Sequence, residues 1–84
     1  MKKIRLSHHA RSRCRSRGTN EQEVRSAVRR GVRDPAKKGR WMCRLNFQYN
    51  QLWRGKHYAI KQVAPVIAER PGEIVVITVY TFFF

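Results

Sequence analysis

Ile74-Val75-Val76-Ile77-Thr78-Val79-Tyr80-Thr81-Phe82-Phe83-Phe84 is the stretch on which the fold turns. β-Branched and aromatic side chains fill it, and neither Gly nor Pro interrupts it, so it reads as a strand. Alternate residues point to opposite sides. One face carries Val75, Ile77, Val79 and Phe83, and these are expected to meet the rest of the core. The other carries Ile74, Val76, Thr78, Tyr80, Phe82 and Phe84. A strand apolar on both faces belongs inside a sheet.

Upstream of it, Arg70-Pro71-Gly72-Glu73 has the residues of a hairpin turn. Residues 57–62 and 64–70 then make one long strand or two interrupted ones. Pro65 has no N–H to give a ladder, so it predicts an edge or a bulge. Tyr49 to Gly55 reads as a turn region. Before it, Trp41, Cys43, Leu45 and Phe47 alternate with Met42, Arg44, Asn46 and Gln48, the pattern of a half-buried strand. Residues 34–39 read as a loop.

Nearer the start the period lengthens. Ser7 is a candidate N-cap and Gly18 a stop for a first helix. Thr19, with Gln22 three residues on, predicts a capping box for a second. Glu21 and Glu23 in its first turn and Arg29 and Arg30 in its last suit the helix dipole. Val24, Ala27 and Val28 form its apolar stripe, and Gly31 ends it. Lys2 to Leu6 is a short strand or an extended lead-in. The expected architecture is α+β. It has two N-terminal helices packed on one face of a small antiparallel sheet, as one domain over residues 1–84.

Charge narrows the partners. The chain has 84 residues, 19 Lys and Arg against five Asp and Glu, and a net charge of +14. Most of the excess lies before residue 41. Such a field favours polyanions, nucleic acid foremost. No stretch approaches 18 apolar residues, so no membrane span is expected. Cys14 and Cys43 do not make a disulfide framework, and both read as reduced thiols of a cytoplasmic protein. His8, His9, Cys14, Cys43 and His57 lack metal-ligand spacing, and there is no Gly-rich phosphate loop. No metal or other cofactor is expected.

The first helix concentrates the charge. His9, Arg13 and Arg17 recur every four residues and share one face. At about 100° per residue they sit at the rim of the apolar side formed by Ala10 and Cys14. Like charges at this spacing repel by a few tenths of a kcal/mol per pair, and a polyanion relieves that repulsion. His9 alone on the stripe exchanges protons near neutrality.

The string His9-Ala10-Arg11-x-Arg13-x-x-x-Arg17-Gly18, followed by an acidic capped helix and a final strand ending Thr78-Val79-Tyr80, carries a resemblance. It resembles a family of small bacterial and phage proteins known only as a domain of unknown function. That family is grouped with the RelE-like and BrnT-like toxins in the barnase/EndoU/colicin/RelE ribonuclease fold. The resemblance covers roughly residues 4–31 and 57–81. Residues 32–56 match no part of it, and Thr19 stands where an apolar residue is usual. It implies a RelE-like fold and metal-independent RNA cleavage.

Such cleavage needs a base for the 2′-OH, cations for the phosphate, and a donor for the leaving oxygen. His9 is the candidate base or acid. Arg13 and Arg17 are candidate phosphate clamps. Thr78 and Tyr80, on one side of the last strand, are candidate hydrogen-bonding partners of phosphate or His9. No second acid–base group stands out among His57, Tyr58 and Lys61. Candidate nucleic-acid contacts are Arg11 and Arg15, on the far side of the helix, with Arg40, Arg44, Arg54 and Lys61. Trp41, Phe47, Tyr49 and Trp53 interleave with Arg40, Arg44 and Arg54, although Trp41 and Phe47 share a face and suit a core. The readings are a toxin-like ribonuclease, a non-catalytic module binding RNA or DNA, and a regulatory protein docking an acidic partner through its basic helix. Phe82 and Phe84 have no evident cover, which predicts an interface with a second copy or with an acidic, antitoxin-like protein; the alternative is that they fold back onto Trp53 or Trp41 and close a thin core.

Overall fold

The computed structural model describes residues 2–84. Strand β1 (Lys3–Leu6) leads into helix α1 (His8–Ser16), and α2 (Glu21–Arg30) follows. Strands β2 (Val32–Ala36), β3 (Arg40–Trp53), β4 (Lys56–Arg70) and β5 (Glu73–Phe83) come after the helices. All five strands form one sheet in the order β1-β5-β4-β3-β2. The connections from β2 to β5 are antiparallel, but β1 lies parallel to β5, with Lys3–Leu6 beside Glu73–Val76. The fold is therefore α+β with a mixed sheet, which corrects the purely antiparallel expectation. Alternation reveals a strand, not the direction of its neighbour. Ile4 and Leu6 are both buried, in register with Ile74 and Val76, and that burial holds β1 in place.

Both helices pack on one face. Ala10 and Cys14 of α1 and Val24, Ala27 and Val28 of α2 join Cys43, Val63, Ile67, Val76 and Val79 in one buried cluster. Trp41, Leu45 and Phe47 pack against it, as their alternation predicts.

The Ser7 hydroxyl caps α1, accepting from the Ala10 N–H at 3.0 Å. The cap of α2 is Asn20 rather than Thr19. The Asn20 side-chain oxygen accepts from the Glu23 N–H at 2.9 Å, and the Thr19 hydroxyl donates to the Glu23 carboxylate. Asn ranks above Thr as a cap. Residues 34–39 are not simply a loop. Val32–Ala36 pairs with Arg40–Arg44 as an edge strand, where Pro35 is tolerated, and one 3-10 turn follows. The expected turn region at Tyr49–Gly55 is mostly strand. A register shift between Gln48 and Gln51 masks the alternation there. The turn itself is Arg54-Gly55, with φ of 52° and 83° as a tight hairpin requires.

The largest departure is in β5. Val66 faces Thr78 and Ile67 faces Val76, so Ile77 is an extra residue in its strand. This bulge switches which residues face the helices. Ile74 and Val76 upstream and Val79 downstream all belong to the helix-side cluster. Val75 and Ile77, expected to face the helices, instead lie on the opposite face. Pro65 sits opposite Val79 beside the bulge, in the middle strand of the sheet rather than at an edge.

Helix α1 lies where β1 would continue. The Ser7 N–H donates to the Val76 carbonyl and the Ser7 hydroxyl to the Ile77 carbonyl, both at 3.0 Å. At the other end the Thr81 hydroxyl donates to the Arg17 carbonyl at 2.6 Å. The ten steps from Ser7 to Arg17 advance about 15 Å at helical rise, and the four strand steps from Ile77 to Thr81 about 14 Å. Helix and strand thus run side by side in one direction. Among the described residues, no helix is long and apolar enough to cross a membrane.

Candidate nucleic-acid interface

Every acidic side chain is occupied within the fold. Glu69 holds Lys2 and Arg33, Glu73 holds Arg5, Glu21 holds Arg11 and Arg25, Asp34 holds Arg44, and Glu23 holds Lys61. Among the described residues, Arg13, Arg17, Arg54, Lys37, Lys38 and Arg40 have no acidic partner. They flank a run of adjoining grooves.

On the sheet face away from the helices, a groove of about 550 Å³ has Met42, Val66 and Ile77 among its apolar lining. Lys37, Lys38, Arg40 and Arg44 line it too, with Thr78 and Tyr80. The last strand and the middle of the chain are thus brought together. Around the edge of β5, a second groove of about 380 Å³ is lined by Arg13, Arg17 and Arg54 with Trp53 and Phe83. Arg17 links the two. Its guanidinium lies 5.4 Å from the centre of the Tyr80 ring, a cation–π contact worth about 0.5–1 kcal/mol at an exposed site. A third groove, of about 610 Å³, is lined by Arg44, Arg54, Phe82 and Phe84.

Local structure fixes these cations. Arg44 donates through Nε to Asp34 at 2.9 Å and through Nη1 to Gln62 at 2.8 Å, and its guanidinium lies 5.5 Å from the Phe82 ring centre. Arg54 donates to the Ser16 carbonyl at the end of α1 and lies over Trp53. Trp53 stacks on Phe83 with centroids 5.0 Å apart, and Tyr49 and Tyr58 close around the same ring. Gly18 makes room for the indole. A Cβ there would meet the Trp53 ring at 2.8 Å, and its φ of +75° is one side chains avoid.

His9 is exposed in the first turn of α1, near the bulge through Ser7. Its imidazole makes no hydrogen bond or ion pair among the described residues. His57 is exposed on β4, paired with Leu52. Arg15 is exposed, and Arg11 is held by Glu21 at 3.1 Å. Lys61 is buried, at 7% exposure, and its ammonium bonds the Glu23 carboxylate at 2.7 Å and the Gly18 carbonyl at 3.0 Å. It ties β4 to the turn between the helices and is not a surface contact. A lone Lys in a strand gives no sign of this, because Glu23 is far away in sequence.

Of the aromatic cluster, Tyr49 and Trp53 are visible in the sequence as rings interleaved with arginines, whereas Phe83 and the cations Lys37 and Lys38 show no pattern of that kind. The tight turn Arg54-Gly55 was the available signal for the cluster, since it sets Trp53 beside the chain's last residues. Burial pushes the Cys14 and Cys43 thiols above the ordinary value, so both are poor nucleophiles. Among the described residues, no group of three or more His, Cys, Asp or Glu side chains is placed to hold a metal ion.

Compared with known proteins, the chain matches no family model, no curated protein and no solved structure.

Proposed function

We propose that this protein binds RNA along the track formed by Arg13, Arg17 and Arg54, across the β5 edge, and on to Tyr80, Thr78, Arg44 and Arg40. One observation carries the reading. Six of the cations without acidic partners, Arg13, Arg17, Arg54, Lys37, Lys38 and Arg40, line adjoining grooves, and Arg17 on Tyr80 joins the helix stripe to the last strand. Clustered guanidiniums beside aromatic rings suit a phosphate backbone with bases attached. RNA is the polymer that the resemblance to ribonucleases implies. Titration of a labelled RNA at several salt concentrations tests it. Arg13→Ala, Arg17→Ala and Arg54→Ala should each weaken binding and lower the salt slope by about one. An affinity that does not fall with salt would remove the reading.

Cleavage is the second reading, and the same Arg17–Tyr80 contact favours it, because it unites residues of the expected catalytic set. His9 lies on the same helix face, beside the strand that carries Thr78. Incubation with RNA in EDTA should yield 2′,3′-cyclic phosphate ends if His9 moves the proton. His9→Ala should then cut the rate by about 10²-fold with RNA affinity kept. Intact RNA would leave the protein a binding module.

A further inference from the structure

The outer face of β5 carries an unusual arrangement beyond its charge. Tyr80, Phe82 and Phe84 alternate along the strand and share one side. They remain 38%, 41% and 57% exposed. Phe83, between two of them, points the other way into the Trp53 cluster. The ladder continues past the end of β5, because Phe84 exchanges both backbone hydrogen bonds with Ile60. The three rings are therefore held on a paired backbone. Successive rings on one face lie about 6.8 Å apart. Arg17 lies over the first and Arg44 over the second, so cations accompany the rings.

We infer that this row is a stacking platform that selects single-stranded over duplex RNA. The inference rests on the RNA-binding reading and names the form of RNA that the site takes. In a duplex the bases stack on one another about 3.4 Å apart, and their faces are closed to protein rings. A single strand splays its bases and can lay them on aromatic side chains while guanidiniums hold its phosphates. Charge alone attracts both forms. The rings supply the discrimination, and the exposed apolar surface at Phe82 and Phe84 is what the bases cover. An acidic peptide would be drawn by the same arginines, but it has no flat faces to match three evenly spaced rings.

The test uses the full chain and a short unstructured RNA, alone or annealed to its complement, with 2-aminopurine at one position. The single strand should bind at least about tenfold tighter than the duplex, given the usual strength of base–aromatic stacking. Its fluorescence should be quenched on binding. The double variant F82L/F84L should lose the discrimination and the quench while keeping duplex affinity and salt slope. F82Y/F84Y should restore both. Both positions are partly exposed, and the melting temperature of each variant checks its fold. Equal binding of the two forms by the native chain, or discrimination that survives F82L/F84L, overturns the platform and leaves the basic track standing. Binding to neither form removes the track, and the platform with it.

Discussion

At the scale of single residues, Gly18 and Lys61 hold the site's far end. Gly18 serves as the left-handed stop of α1 and as the gap that admits Trp53. Gly18→Ala should lower stability by about 2 kcal/mol, combining the left-handed penalty of about 1–2 kcal/mol with displacement of the indole. In a domain of this size that is a fall of roughly 8–16 °C in Tm, measurable by thermal unfolding. Lys61→Met removes the ammonium and leaves Glu23 partly buried without its partner. Loss of one member of a fully buried pair costs about 3–5 kcal/mol. Glu23 keeps 22% exposure, so about 2 kcal/mol is expected, read from urea unfolding. Gly18 was legible as a helix stop from its place after an Arg-rich helix. Its second role was not, since it depends on Trp53, 35 residues away. The catalytic candidates show the same division. Arg13 and Arg17 follow from i, i+4 spacing, whereas the Arg17–Tyr80 contact needs the fold.

At the scale of elements, helices α1 and α2 and the inner face of β3 were readable because each carries a clean period. β1, only four residues long, was legible as a short strand or an extended lead-in, and β2, five residues long and containing Pro35, was not. The bulge in β5 defeated simple alternation. Counting by twos put Val75 and Ile77 on the helix side and Ile74 and Val76 on the opposite face, whereas Ile74 and Val76 join the helix-side cluster. Yet Tyr80, Phe82 and Phe84 were placed on the right face, since they lie on the far side of the shift from that error. Deleting Ile77 checks this account. Without the extra residue, either Ile74 and Val76 upstream or the aromatic rings downstream must change face. The deletion variant should lose cooperative unfolding and near-UV circular dichroism. The variant Ile77→Val, which keeps the count, should cost no more than about 1 kcal/mol, because Ile77 is only partly buried.

At the scale of the whole molecule, charge sets the conditions for stability. Hydrogen bonds from Lys2 and Arg33 hold the Glu69 carboxyl below its ordinary value of 4.5, and a hydrogen bond from Arg5 does the same for Glu73. The unfolded chain then takes up protons first as pH falls. Their contribution is whole above pH 4.5 and fades as pH drops through the lower folded values. Melting temperature should be flat from neutrality to about pH 5 and decline below it. The decline should be steeper than in Glu69→Gln, which has already lost that linkage. The net charge of +14 and its concentration before residue 41 were plain from the sequence. Which cations would be neutralised was not, because each of the five acids pairs at least once with a residue of a separate element. The occupation of all five acids has a thermodynamic consequence. With no internal acid left to offset the remaining arginines, a polyanion bound at the proposed track would stabilise the folded chain. A ligand present at one hundred times its Kd adds about 2.7 kcal/mol to folding, or roughly 10–20 °C of Tm in so small a domain. On the proposed RNA-binding reading, the protein is most robust when loaded, and removing the RNA lowers its melting point at the same time as it exposes its grooves.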